Sequence, residues 1–392
     1  MALDEKSVPY PHIRSSAIIR SVISLGFRVV AAASALLLFA CVWILVPAPN
    51  RHLLTLAVGS PELSPVLLIC GVVLSAVSAA YARRNAVARL ALVFSATAST
   101  LSLIPVAQLP LALYRFDQAM TKTTVEPPVS RAGEVRVTRG VEFSQSDGVP
   151  LSLDVYRPPS GDRDPILLQI HGGSWQAGSP ASQEWFSRHF AQRGYVVVSI
   201  SYRHAPEWKW PEQIVDVRSA LHWISEESPA FGGNPARIVV VGRSAGAQLA
   251  MRLAYQEGPS SIRGVVNLYG PVDLAEGWRN PPRPDPADVR GILEALIGGT
   301  PAQKPEHYRH ASPITYVSKS VAPTLSLYGA RDHIVEARYG RTLDAALTKA
   351  GATSVFLELP WSEHAFDAVP GGMGRRIALH YAERFIAWAV AR

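Results

Sequence analysis

Cysteine is nearly absent from this chain: two among 392 residues, Cys41 and Cys70, and none beyond Cys70. Both stand inside apolar runs, so a disulfide framework is excluded as what holds the longer C-terminal part together. A domain of that length buries a core of its own and fits any redox compartment. Long basic runs are missing too, as is any aromatic-basic RNA-binding motif. The formal charge of +7 and the pI near 9.5 therefore do not point to nucleic acid, because the arginines have another explanation at the ends of apolar segments. No internal repeat is visible.

What is present divides in two. Up to about Tyr114 the chain is dominated by Ala, Leu, Val and Ser; from Arg115 onward charged residues, Pro, Trp and Gly reach ordinary globular frequency. The first part holds three stretches long and apolar enough for a bilayer core, which takes about 20 helical residues. They are residues 29–46, 64–82 and 91–113, the last interrupted by Pro105 and Pro110, where a kink or an interfacial end is expected. A cleaved signal peptide is the alternative, but the charged leader before Val29 is long and two further apolar stretches follow.

Lys6, Arg14, Arg20 and Arg28 precede the first stretch, only Arg51 lies between the first and second, and Arg83, Arg84 and Arg89 lie between the second and third. Cytoplasmic loops retain positive charge. The expected organisation is thus a membrane anchor over 1–116 with a cytoplasmic N-terminus, a linker over 117–133 containing Pro127 and Pro128, and an extracytoplasmic domain over 134–392.

In that domain short apolar runs alternate with helical patterns. Strands are expected at 135–144, 151–156, 166–170, 195–200, 237–241, 264–268, 324–328 and 354–359, and helices at 211–226, 245–255, 336–350 and 375–390. This alternation is that of a doubly wound, mostly parallel α/β sheet with helices on both faces. A Pro-rich, charged segment at 273–312 interrupts it.

The chemistry-bearing residues follow strands. Gly242-Arg243-Ser244-Ala245-Gly246 stands directly after an apolar strand and before a helix, where a strained turn lifts a serine hydroxyl above the sheet. His171-Gly172-Gly173-Ser174-Trp175 follows another strand. The N–H groups of Gly172 and Gly173, with that of Ala245, are the candidate oxyanion hole for a carbonyl attacked by Ser244. His171 is expected to shape this loop. A serine hydroxyl needs a base. His364, just after the last strand, is the best placed, since His380 falls in a helix, His307 and His310 in the insertion, and His333 beside the expected acid. That acid is Asp332, beyond Gly329-Ala330-Arg331; Asp344 and Glu363 are expected to be structural or solvated.

These residues resemble the α/β-hydrolase superfamily, and within it the hormone-sensitive-lipase-like and bacterial feruloyl-esterase-like carboxylesterases. Ser201-Tyr202-Arg203-His204-Ala205-Pro206-Glu207 is similar to an element of those families, and Asp216 falls where they carry an acidic residue that supports the loop. The resemblance spans about Val135 to the C-terminus. It implies an acyl-serine esterase with Ser244, Asp332 and His364 catalytic, no metal or organic cofactor, a small-molecule or lipid-like ester as substrate, and a cap over the acyl pocket at 273–312. Ser174 and Trp175 replace a third glycine and another aromatic, and Arg243 replaces an acidic residue, so Trp175 and Arg243 are candidate substrate-binding residues. Trp278 lines the channel or packs the cap. Acyl transfer and amide or peptide cleavage use the same three groups, and a non-catalytic binding protein on this scaffold is a further alternative.

Overall fold

The computed structural model describes residues 13–83, 85–257 and 262–392; Lys6 and Arg84, both used in the orientation argument, lie outside them. The chain forms two compact units. One comprises Met1–Val46 and Leu63–Ala107, the other Pro47–Glu62 and Gln108–Arg392.

The first unit is built from α1 (Ile13–Val42), α3 (Ser64–Ala82) and the N-terminal part of α4 (Ala86–Met120). Its burial is inverted relative to a water-soluble bundle. Leu36, Ile69 and Val93 are exposed, whereas Ser34, Ser95, Ala98 and Ser102 are fully buried. Small residues let the helices approach: a side chain at Gly71 would run into Ser99 on α4. The Ser75 hydroxyl donates to Ser95 at 2.9 Å, and Cys41 and Ser102 share a hydrogen bond at 3.2 Å. Small interfaces stitched by hydroxyls are how helices associate in lipid.

The bounds differ from those expected. The first helix starts far upstream and stops at Val42, because Ile44 and Leu45 turn back on Cys41 and Val42 ahead of Pro47; the residue before a proline is driven out of the helical region. Asn85 starts α4 early by accepting the N–H groups of Val87 and Ala88. Pro105 and Pro110 do not end it. It runs on to Met120 because Ala112, Phe116 and Met120, four apart, are buried in the second unit's core.

The expected linker at 117–133 is consequently helical in its first four residues. Beyond them it is no free stalk. Thr124 accepts from Arg384 at 3.0 Å, and Arg131 pairs with Asp164 at 2.7 Å.

Between α1 and α3 lies α2 (Arg51–Glu62), a helix of the second unit that no apolar period announces. That unit is otherwise an eight-stranded sheet. Its strands are β1 (Arg136–Ser146), β2 (Val149–Arg157), β3 (Asp164–Ile170), β4 (Val196–Ile200), β5 (Gly233–Arg243), β6 (Ile262–Leu268), β7 (Thr324–Gly329) and β8 (Ser354–Leu359). They lie in the order β1-β2-β4-β3-β5-β6-β7-β8. β2 is antiparallel to both β1 and β4, and every other pairing is parallel.

Val196–Val198 and Ile238–Val241 have no exposed surface, as strands covered on both faces must. The covering helices are α5 (Glu184–Gln192), α6 (Glu212–Glu227), α7 (Ala245–Glu257), α11 (Ala337–Ala350) and α12 (Met373–Ala391). The 273–312 insertion folds into α8 (Leu274–Arg279), α9 (Val289–Ile297) and α10 (Pro305–Ala311), with Asp273 and Asp288 capping α8 and α9. Parallel strands all open their C-terminal ends on one edge, and there the loops after β3, β5, β7 and β8 converge.

Candidate active site

Ser244 occupies the single residue between β5 and α7 in a left-handed conformation, φ 52°, which costs a non-glycine residue on the order of 1 kcal/mol or more. The surroundings impose it. A side chain at Gly242 would strike the Gly246 backbone, and one at Gly246 would strike the carbonyls of Ile170 and His171. Both glycines are therefore required by close backbone approach. The Ser244 N–H donates to Leu268 O at 2.9 Å, tying the turn to β6.

His364 brings Nε2 to 3.0 Å from Ser244 Oγ, and its Nδ1 lies 2.7 Å from Asp332 Oδ2. The other Asp332 oxygen accepts the N–H groups of Ile334 and Val335 at 2.8 and 2.7 Å. With Nδ1–H donated to the carboxylate, Nε2 keeps its lone pair for the serine hydroxyl. Burial pushes the imidazole pKa down, but the Asp332 charge, followed by Glu363 and Asp367, more than offsets this and the net direction is up. Burial likewise raises the Asp332 carboxyl, against the pull of His364 and the amides.

The loop after β3 packs directly on the serine turn. A side chain at Gly172 would lie 2.8 Å from Arg243 O and 3.3 Å from Ser244 Cβ. Gly173 has φ 119° and its carbonyl closes the turn by accepting from Gln176 and Ala177. Gly172 thus lies against Ser244 on one side, and Ala245 opens α7 on the other, where helix N–H groups are free to donate. His171 is buried and stacked on Tyr202 at 4.4 Å, and burial lowers its pKa to about 4. It is neutral and braces the loop, with Tyr202 donating to its carbonyl at 3.0 Å.

Beside Ser244 opens a small, mainly apolar pocket lined by Trp175, Leu274, Val289, Ile292, Leu293 and Val335, so residues of the 273–312 insertion form part of its wall. Trp175 is fixed by a 2.9 Å bond from its Nε1 to Gln248. Arg243 requires a correction: it does not line this cavity. Its guanidinium is turned below the turn, buried, 2.6 Å from Asp367 and 4.4 Å over the Phe186 ring, because an unpaired charge there would be far too costly. Trp278 packs the cap, bonding Glu294 at 2.8 Å under Arg290. Asp216 holds Arg203 through its N–H and guanidinium, as a loop support does.

Two residues that sequence reading weighed, Glu363 and His333, and two that it passed over, Asp367 and Tyr269, complete the site. Glu363 takes the structural one of its two expected roles: one oxygen accepts the N–H groups of His333 and His364, and the other lies 2.6 Å from His333 Nδ1. It clamps the base loop to the acid loop, and that contact raises the His333 pKa. Asp367 accepts from Arg243 and from Tyr269, whose ring meets His364 edge-on at 4.6 Å. Adjacency of Glu363 and His333 to the expected base and acid was the available signal; Asp367 and Tyr269 offered none. Among the described residues no group of three His, Cys, Asp or Glu side chains is placed to hold a metal ion.

The sheet order, the strained serine after the fifth strand, and the acid and histidine loops after the last two strands define the α/β-hydrolase fold. Within the class, the BD-FAE family matches residues 153–347. The chain is 35% identical over 237 residues to Esterase LipC of Mycobacterium tuberculosis, covering 56% of this chain and 58% of that one. Esterase LipQ of the same organism is 32% identical over 242 residues, 58% and 56% of the respective chains. The chain thus spans less than three fifths of the length of these curated relatives. Among solved structures, the hyperthermophilic esterase from the archaeon Pyrobaculum calidifontis is 25% identical, with a TM-score of 0.57 over 74% of this chain and 93% of that one.

Proposed function

We propose that this chain is a serine carboxylic-ester hydrolase held at a membrane by its three apolar helices. The observation that carries the reading is the continuous hydrogen-bonded series from Ser244 Oγ through His364 to Asp332. Ser244 Oγ attacks the ester carbonyl as its proton passes to His364 Nε2, and the Asp332 carboxylate stabilises the imidazolium. The N–H groups of Gly172, Gly173 and Ala245 take the oxyanion, each such donor being worth roughly 3 kcal/mol in the transition state. His364 returns its proton to the departing alcohol, and water repeats the cycle on the acyl-serine. The esterase relatives support the same chemistry. The mainly apolar cavity under the cap suits the acyl chain of the substrate, and Trp175 forms part of its wall.

Ser24–Val42, Ser64–Ala82 and Ala86–Met120 are long and apolar enough to cross a membrane. The positive charge before the first and between the second and third favours an N-terminus inside and a hydrolase outside. The membership of α2 in the hydrolase unit supports a crossing by both the second and the third: the segment between the first two spans and the domain after the third then lie on one side.

The test is hydrolysis of short p-nitrophenyl esters by the full chain in detergent. Ser244→Ala should lower kcat by about 10⁴-fold or more, whereas unchanged turnover in that variant removes the mechanism.

A further inference from the structure

The loop carrying His364 is held from outside the sheet by a residue more than 300 positions away. Glu62, last residue of α2, is 1% exposed. One of its oxygens lies 2.5 Å from Ser362 Oγ, and the other accepts the Gly374 N–H in the first turn of α12. Those two partners bracket the segment 362–374, which contains both His364 and Asp367. The space is made for the carboxyl. A side chain at Gly374 would lie 2.8 Å from its oxygen and 2.7 Å from Phe366, and one at Gly372 would lie 3.1 Å from Glu62 Cβ.

Ser362 passes the contact on. Its hydroxyl faces Glu62, its carbonyl accepts the Arg331 N–H at 3.0 Å beside the acid Asp332, and its neighbour Glu363 fixes the His364 N–H. We propose that Glu62 is a positioning residue for the ester-hydrolase reaction, holding the His364 loop through Ser362 and so making catalysis depend on the helix that joins the first two apolar spans. This rests on the ester-hydrolase reading of Ser244.

Hydrogen bonding rather than charge does the holding. Burial lifts the carboxyl pKa to about 7, with the Ser362 and Gly374 bonds pulling the other way, so near neutrality both forms are populated and both can bond these partners. Glutamine preserves one acceptor and one donor in the same shape; alanine preserves neither.

The experiment compares E62A, E62Q and S362A in the full-length protein. Displacing a reacting group by about 1 Å costs up to roughly 100-fold, so E62A should lower kcat by about 10- to 100-fold with KM within about twofold, while E62Q stays within about threefold of the parent. S362A removes only the transmitting hydroxyl and should lower kcat as E62A does. Parental kcat in S362A, or E62Q as slow as E62A, overturns the proposal, and the former does so even where E62A fails to fold. The rate at which phenylmethanesulfonyl fluoride modifies Ser244 should fall in the same ratio and needs no ester. An unchanged modification ratio therefore overturns the positioning role, whereas absence of ester turnover in the parent protein counts against the ester-hydrolase reading instead.

Discussion

In the proposed reaction Ser244, a poor nucleophile on its own, is activated by the neutral imidazole of His364, whose pKa the Asp332 charge holds above its ordinary value. The sign of the pH dependence follows. The base works only unprotonated, so kcat/KM should be flat at high pH and fall as pH drops through an apparent pKa above about 6.5. Asp332→Asn removes the chief upward influence and should move that limb to lower pH while cutting the plateau by roughly 10⁴-fold. A limb that stays in place in Asp332→Asn would show that another group titrates. That Ser244, His364 and Asp332 would be neighbours was legible because each lies within about five residues of the C-terminal end of a strand, at the same sheet edge. Arg243 misled because sequence position next to the nucleophile says nothing about direction: its side chain finds Asp367, 124 residues on, beneath the turn. No local pattern pairs residues at such separation.

At the scale of elements, strands were legible wherever they are buried on both faces, since apolar residues dominate there and the few buried polar ones, such as Ser199 and Asn267, are hydrogen-bonded. Helix ends were less so. Phe116 and Met120 extend α4 for a tertiary reason, burial in the second unit, and α2 escaped notice because its twelve residues are mixed in character and the partners of its buried Glu62, Ser362 and Gly374, lie 300 and 312 residues further along the chain. The insertion at 273–312, proposed as a cap, is the element expected to set selectivity. Leu293 on α9 projects into the cavity beside Ser244, and Leu293→Trp should fill it, lowering kcat/KM for an octanoate ester by about 10-fold or more while sparing the acetate. Parallel measurement on the two p-nitrophenyl esters checks this, and equal losses on both would place the acyl chain elsewhere.

For the molecule as a whole, two physical regimes share one chain. The first unit exposes Leu36, Ile69 and Val93 and hides serines, an arrangement that suits the apolar surroundings of the proposed membrane anchor. The second exposes charge and hides β-branched and aromatic residues. A phosphatase reporter active only outside the cytoplasm should report activity when fused after Arg392 or inserted after Pro49, and none after Asn85; the opposite pattern would invert the orientation argued from the arginines. The proposed catalysis, in turn, depends on three loops meeting so that a hydroxyl, an imidazole and a carboxylate touch in order. The most direct test is peptide mass spectrometry after phenylmethanesulfonyl fluoride treatment of the intact protein. The predicted result is a single adduct on Ser244 whose formation slows by about 10³-fold or more in His364→Ala. An adduct on a different serine, or one on Ser244 that forms equally fast without His364, would contradict the account.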